Sequence, residues 1–175
     1  LYGAQSLMIL AMVAVLRVSS SGLSDPPVLA PAIAEAAPEA ELNSGARYDD
    51  TLILDRFAGW LDEQNRLHLW LTWQSSGQLH SPYYQSLLPV GTDAVATAAT
   101  LQQPFNQQFP TTCWRPESGE IDQYVLLPLD PSIGTDEVWV SLSWVDGDTG
   151  EPLPVVEASG QSATQTGIGP FFPAD

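Results

Sequence analysis

The stretch "RLHLWLTW", residues 66–73, decides the fold of this 175-residue chain. Successive side chains of an extended backbone point to opposite sides. Leu67, Leu69, Leu71 and Trp73 therefore share one face, and Arg66, His68, Trp70 and Thr72 share the other. Strict alternation of this kind predicts a half-buried β-strand. The pattern returns in "EVWVSLSWV" (137–145), with Val138, Val140, Leu142 and Trp144 inward and Trp139, Ser141 and Ser143 outward. "EIDQYVLLPL" (120–129) reads as a third strand, and Pro128 near its end marks a sheet edge or a strand terminus. "TLILDRF", "PYYQSLLPV" and "PLPVVE" supply further strands, separated by the turn signals "DEQN", "SSGQ", "PSIGTD" and "DGDTG". Several short strands with no long helical pattern after residue 45 predict a mainly β fold. We expect an antiparallel β-sandwich of jelly-roll or immunoglobulin-like type over residues 48–158, with 159–175 as a C-terminal tail.

The chain before residue 48 differs in kind. "LYGAQSLMILAMVAVL" is apolar apart from Gln5 and Ser6. A membrane-crossing helix needs roughly 20 apolar residues, and this run reaches about 16 to 18 if Arg17 snorkels. No basic residue precedes it, unlike a complete signal peptide. Residues 1–18 are expected to form an apolar membrane helix, either an anchor whose start lies upstream or a trimmed signal-type segment. Residues 19–47 are dominated by Ser, Pro, Ala and Glu and read as a tether, with a short helical stretch interrupted at Pro38.

Composition narrows the function. Hydrophobic residues make up 44%, enough for a core. The net charge is −16, from 21 acids against five arginines (17, 47, 56, 66 and 115), and lysine is absent. Such a surface repels phosphate backbones, so no nucleic-acid partner is expected.

"FPTTCWRPESGEIDQY" (109–124) holds the lone cysteine, Cys113. A catalytic thiol needs a neighbouring base, and nothing in the spacing brings His68 or His80 to it. The strip reads as a clamp, with Trp114 plugging the sandwich and Glu120 and Asp122 paired to Arg115 across the turn. "DGDTGE" (146–151) reads as a hairpin turn, with Gly147 and Gly150 at positive φ; a calcium loop of EF type needs more oxygen ligands than it has. One Cys and two scattered His make no zinc site, and no hydrolase or nucleotide motif is present. No catalytic residue, metal or cofactor is therefore expected. The candidate ligand-binding residues are Trp70, Trp139 and His68, which fall on the polar faces of their strands. An outward tryptophan is a stacking platform for a sugar or a partner contact, unless a loop or the tether covers it.

Trp73-Gln74, Tyr83-Tyr84 and Gln103-Pro104 are followed by Pro110, Thr111, Trp114, Pro116, Gly119, Glu120, Asp122 and Tyr124, then by Asp146, Thr149, Gly150, Leu153 and Pro154. In this order they resemble the C-terminal extracytoplasmic β-sandwich of bacterial multi-pass membrane glycosyltransferases of the mannosyltransferase-like kind, which use lipid-linked sugars. The chain departs from that pattern at Trp144, where a Tyr is usual, at Pro152, where an Arg is usual, and in the longer "PESGE". The resemblance implies a final membrane helix and a Pro-rich tether before the sandwich, an extracytoplasmic location at the cell surface, and an accessory domain without the catalytic multi-pass part. Two functions follow from it. One is a non-catalytic module that binds a glycan or a membrane-protein partner. The other is a structural subunit whose helix packs in the membrane while the sandwich covers an outer face.

Overall fold

The computed structural model describes residues 42–92, 99–133 and 136–173. The expected membrane helix (1–18) and nearly all of the expected tether (19–47) lie outside the described residues. The described part is mainly β, as the alternation predicts. Ten strands are formed: β1 (Leu42–Tyr48), β2 (Leu52–Leu61), β3 (Arg66–Ser75), β4 (Tyr83–Gly91), β5 (Thr100–Gln102), β6 (Ile121–Pro128), β7 (Val138–Asp146), β8 (Val155–Val156), β9 (Ser162–Ala163) and β10 (Thr166–Phe171). A six-stranded sheet runs β6-β3-β2-β1-β8-β9, and a four-stranded sheet runs β10-β7-β4-β5. All the ladders are antiparallel. Short 3-10 turns, Pro104–Gln107, Thr111–Cys113 and Pro116–Ser118, fill the connection between β5 and β6.

The sandwich reaches further than the expected 48–158 on both sides. β1 starts at Leu42, and β10 completes one edge of the four-stranded sheet beside β7. Both strands carry weak signals. "LNSGARY" is polar and buries only Ala46 and Tyr48, while "TGIGPF" has two glycines and a register shift between Ile168 and Phe171. Their pairing with alternating neighbours, rather than their own pattern, makes them strands. Pro128 is both the last residue of β6 and part of an edge strand.

Turn chemistry sets the registers. Asp49 and Asp50 both have positive φ, and the Thr51 amide donates to the Tyr48 carbonyl. That is the left-handed two-residue turn that suits the twist of a hairpin. Between β2 and β3, the Asp62 Oδ1 accepts from the amides of Gln64 (3.0 Å) and Arg66 (2.9 Å), with Asn65 left-handed. Leu61 then pairs with Leu67 and Trp60 with His68.

Leu67, Leu69, Leu71 and Trp73 meet Val138, Val140, Leu142 and Trp144 in the core, all buried. Trp73 contacts Trp144 edge-on at 5.1 Å, and Trp114 lies 6.4 Å from Trp73 and 6.0 Å from Trp144. Two buried amides join the sheets. Gln123 of β6 donates to the Gln85 Oε1 of β4 (3.0 Å), and Gln85 donates back to the Gln123 Oε1 (3.3 Å). The same Gln123 oxygen accepts from the Trp73 indole N–H (3.0 Å).

Two substitutions test this core, both read by denaturant unfolding. Leu69→Ala opens a cavity between the sheets and should cost about 2–5 kcal/mol. Gln123→Leu strands the Trp73 N–H and the Gln85 side-chain N–H in the interior and should cost about 1–3 kcal/mol for each orphaned group. Near-neutral effects would mean that these side chains do not hold the sheets together.

Candidate functional site

The outer face of the six-stranded sheet carries an aromatic stack that the turn at Asp62 organises. Its Oδ1 shapes the hairpin, while its Oδ2 accepts from Arg66 Nε (2.7 Å) and from His68 Nε2 (3.0 Å). A carboxylate only accepts, so in the neutral ring His68 Nε2 carries the proton. His68 Nδ1 then accepts from the Tyr124 hydroxyl at 2.9 Å. Burial pushes the Tyr124 phenol up, so it stays a donor. Desolvation pushes the Asp62 carboxyl up as well. The hydrogen bonds from Arg66 and His68 and the Arg66 charge outweigh it and hold the group well below the usual carboxylate range.

His68 and Trp70 lie side by side at 6.4 Å, and Trp60 stacks over both, at 4.9 and 4.6 Å. Tyr124 tilts against Trp70 at 4.8 Å. Trp70 is only 8% exposed, and its buried indole N–H has no hydrogen-bond partner. Trp70 points to the outer side as expected, but it is not presented there: Trp60 and Tyr124 cover it. Both ring nitrogens of His68 are occupied, so it has none left for a ligand. Trp60 and Tyr124 carry no alternation signal of their own. Only the pairing of Trp60 with His68 and of Trp70 with Tyr124 reveals the stack.

Trp139 belongs to the other sheet, so Trp70 and Trp139 do not form one patch. It is 38% exposed, and its N–H donates to Glu137 Oε1 at 2.8 Å. The ring lies against Gly169, where β10 breaks register; a Cβ there would sit 3.2 Å from two indole carbons. The indole is thus uncovered and fixed in direction. Around it the outward positions are Val90 beside Trp139, Leu88 beside Ser141 and Ser86 beside Ser143, with Leu101 and Gly167 at the flanks. The four strands of this sheet contain one charged residue, Asp146 at the end of β7. The opposite sheet carries Arg47, Asp55, Arg56, Arg66 and Asp122.

The strip 109–124 does form a clamp. Trp114 is buried, and its N–H donates to the Phe109 carbonyl at 3.2 Å, while Cys113 packs half-buried against the core. The expected pairing with Arg115 is not made. Glu120 meets Arg56 at 2.7 Å, and Asp122 accepts from the Thr72 hydroxyl at 2.9 Å, because β6 pairs with β3 and brings these acids over the outer face instead. In the turn after β7, Asp146 Oδ1 accepts from the amides of Asp148 (2.8 Å) and Thr149 (3.0 Å). Gly150 has positive φ as expected, but Gly147 does not. Gly147 is required because a Cβ would run into the Pro82 carbonyl and the Tyr84 ring.

Among the described residues, no group of three or more His, Cys, Asp or Glu could hold a metal ion, and no helix is long and apolar enough to cross a membrane. No protein-family model matches the chain, and no curated protein matches it in sequence.

The depressed Asp62 carboxyl gives a signed prediction. An unfolded Asp titrates near 3.9, so the stability that Asp62 contributes is complete above about pH 5 and is lost as pH falls through its lower folded value. Asp62→Asn should be less stable than the parent at about pH 5, and the gap should close toward about pH 2. A gap that stays constant over that range would remove the charge from the explanation.

Proposed function

We propose that this chain is a non-catalytic accessory module, tethered to the membrane by residues 1–18 on the extracytoplasmic side, whose jelly-roll or immunoglobulin-like sandwich binds a neutral glycan. This is the role of a domain resembling the C-terminal sandwich of membrane glycosyltransferases. The observation that carries it is Trp139, uncovered and held in one direction on a sheet face whose outward positions are uncharged. A fixed indole offers the C–H face of a sugar a stacking surface without first losing rotamer freedom. Ser141 and Gly167, next along the same face, are small and leave room for a flat ligand. The net charge of −16 disfavours polyanions, so neutral sugars fit best.

Affinity electrophoresis of the full chain through gels containing neutral polysaccharide tests this. Retardation is expected for the parent chain. Trp139→Ala should weaken it by about tenfold or less, because one aromatic stack is worth roughly 0.5–1.5 kcal/mol. Thermal stability should hardly change, in contrast to Trp70→Ala, which removes a covered ring. A parent chain that no neutral polysaccharide retards would overturn the reading.

A further inference from the structure

We propose that the recess beside β5 is the recognition subsite for a neutral, hydroxyl-rich sugar residue, at the far end of the same sheet from Trp139. The inference rests on the glycan-binding reading and gives it a second, chemically distinct anchor. The recess encloses about 320 Å³ and is lined by Tyr84, Leu101, Gln102, Gln103, Asn106 and Gln107. None of these carries a charge, in a chain with 21 acids.

The donor set selects the ligand. Each of the four primary amides offers N–H donors and a carbonyl acceptor. A vicinal diol has the same two-way capacity, so one amide can donate to one hydroxyl and accept from the next. An anionic ligand meets no cation in this lining, and a cationic one meets no carboxylate. An apolar ligand would strip water from four amides and return no hydrogen bond. Tyr84 and the 59% exposed Leu101 supply apolar surface for sugar C–H groups.

The wall is built before any ligand arrives. Gln102 Nε2 donates to Gln85 Oε1 at 3.4 Å, which ties the recess to the amide bridge between the sheets. Phe105, Asn106 and Gln107 have φ of 54°, 50° and 69°. Three successive left-handed residues, none of them glycine, are costly and persist only where the surroundings hold them. The hold is visible in Phe105, which packs on Phe109 at 5.9 Å and on Trp114 at 6.3 Å. The clamp thereby fixes the turn that carries Asn106 and Gln107.

The distance to Trp139 bears on ligand size. Tyr84 pairs with Val145 and Val90 with Trp139, so six residues of β4, roughly 20 Å of strand, separate the two anchors. A ligand that touches both is a chain of several sugar residues.

The test titrates the full chain, 15N-labelled in detergent micelles, with hexasaccharides of neutral mannan, galactan and glucan. A polygalacturonate hexamer is the anionic control, and a Gly-Ser decapeptide is the peptide control. We expect the side-chain NH2 signals of Gln102, Gln103, Asn106 and Gln107 to shift with at least one neutral hexasaccharide. The double variant Gln103→Ala, Asn106→Gly should weaken binding by about tenfold or more; glycine suits the left-handed backbone at 106. Should that variant unfold, the amide shifts in the parent chain decide alone. Binding that Trp139→Ala weakens while the amide signals stay fixed overturns the recess and leaves the glycan-binding reading standing. No response to any neutral glycan overturns both. A preferential response to polygalacturonate or to the peptide overturns the assignment of a neutral sugar.

Discussion

Closing two sheets over three indoles is the constraint on which the rest of this domain depends. Trp73, Trp114 and Trp144 are fully buried against one another, and each carries an N–H into an apolar interior. The Trp73 N–H is met by Gln123 and the Trp114 N–H by the Phe109 carbonyl, whereas that of Trp144 has no partner. Gln123 is then itself a buried amide and needs Gln85 on the facing sheet. The chain of need thus runs from an aromatic ring to a bridge between sheets, because a buried polar group left unpaired costs more than a hydrogen bond returns. A second link, from the Tyr48 hydroxyl on β1 to the Leu142 carbonyl on β7, ties the sheets together elsewhere.

The two outer faces dispose of their polar groups in opposite ways. On the six-stranded sheet, Asp62, Arg66, His68 and Tyr124 hydrogen-bond to one another, and the rings of Trp60 and Trp70 stack together. Little is left over for another molecule, and the stack reads as internal support for an exposed hairpin. The four-stranded sheet leaves Trp139 uncovered, keeps its strands nearly free of charge and ends in an amide-lined recess. Under the proposed reading, this second face is the one that takes the ligand.

Alternation alone made the central strands legible. Where one face is buried, a period of two puts Leu67, Leu69, Leu71 and Trp73, and likewise Val138, Val140, Leu142 and Trp144, inward with no knowledge of partners. β1 and β10 were not legible in this way, since "LNSGARY" and "TGIGPF" owe their strand character to the neighbours they pair with. The same limit governs the site. That Trp70 and Trp139 point outward follows from parity. That Trp70 is covered follows only from Trp60 and Tyr124 standing on adjacent strands, which needs the registers. The recess was less legible still, because four amides spread over residues 102–107 look like an ordinary polar loop until the left-handed turn is seen to gather them.

The acidic surface and the uncharged recess work as one selectivity device under the proposed reading. Net charge acts over a Debye length of about 8 Å at physiological ionic strength, so the 21 acids keep polyanions away before any contact forms. Neutral sugars feel no such barrier, and their discrimination is left to short-range geometry. Hydroxyl-to-amide hydrogen bonds suit that task, since a site built to pair hydroxyl groups rejects a ligand that lacks them far more strongly than an apolar pocket rejects one that is slightly too large. Rejecting charge at long range and counting hydroxyl groups at short range are therefore separate jobs, carried by separate residues.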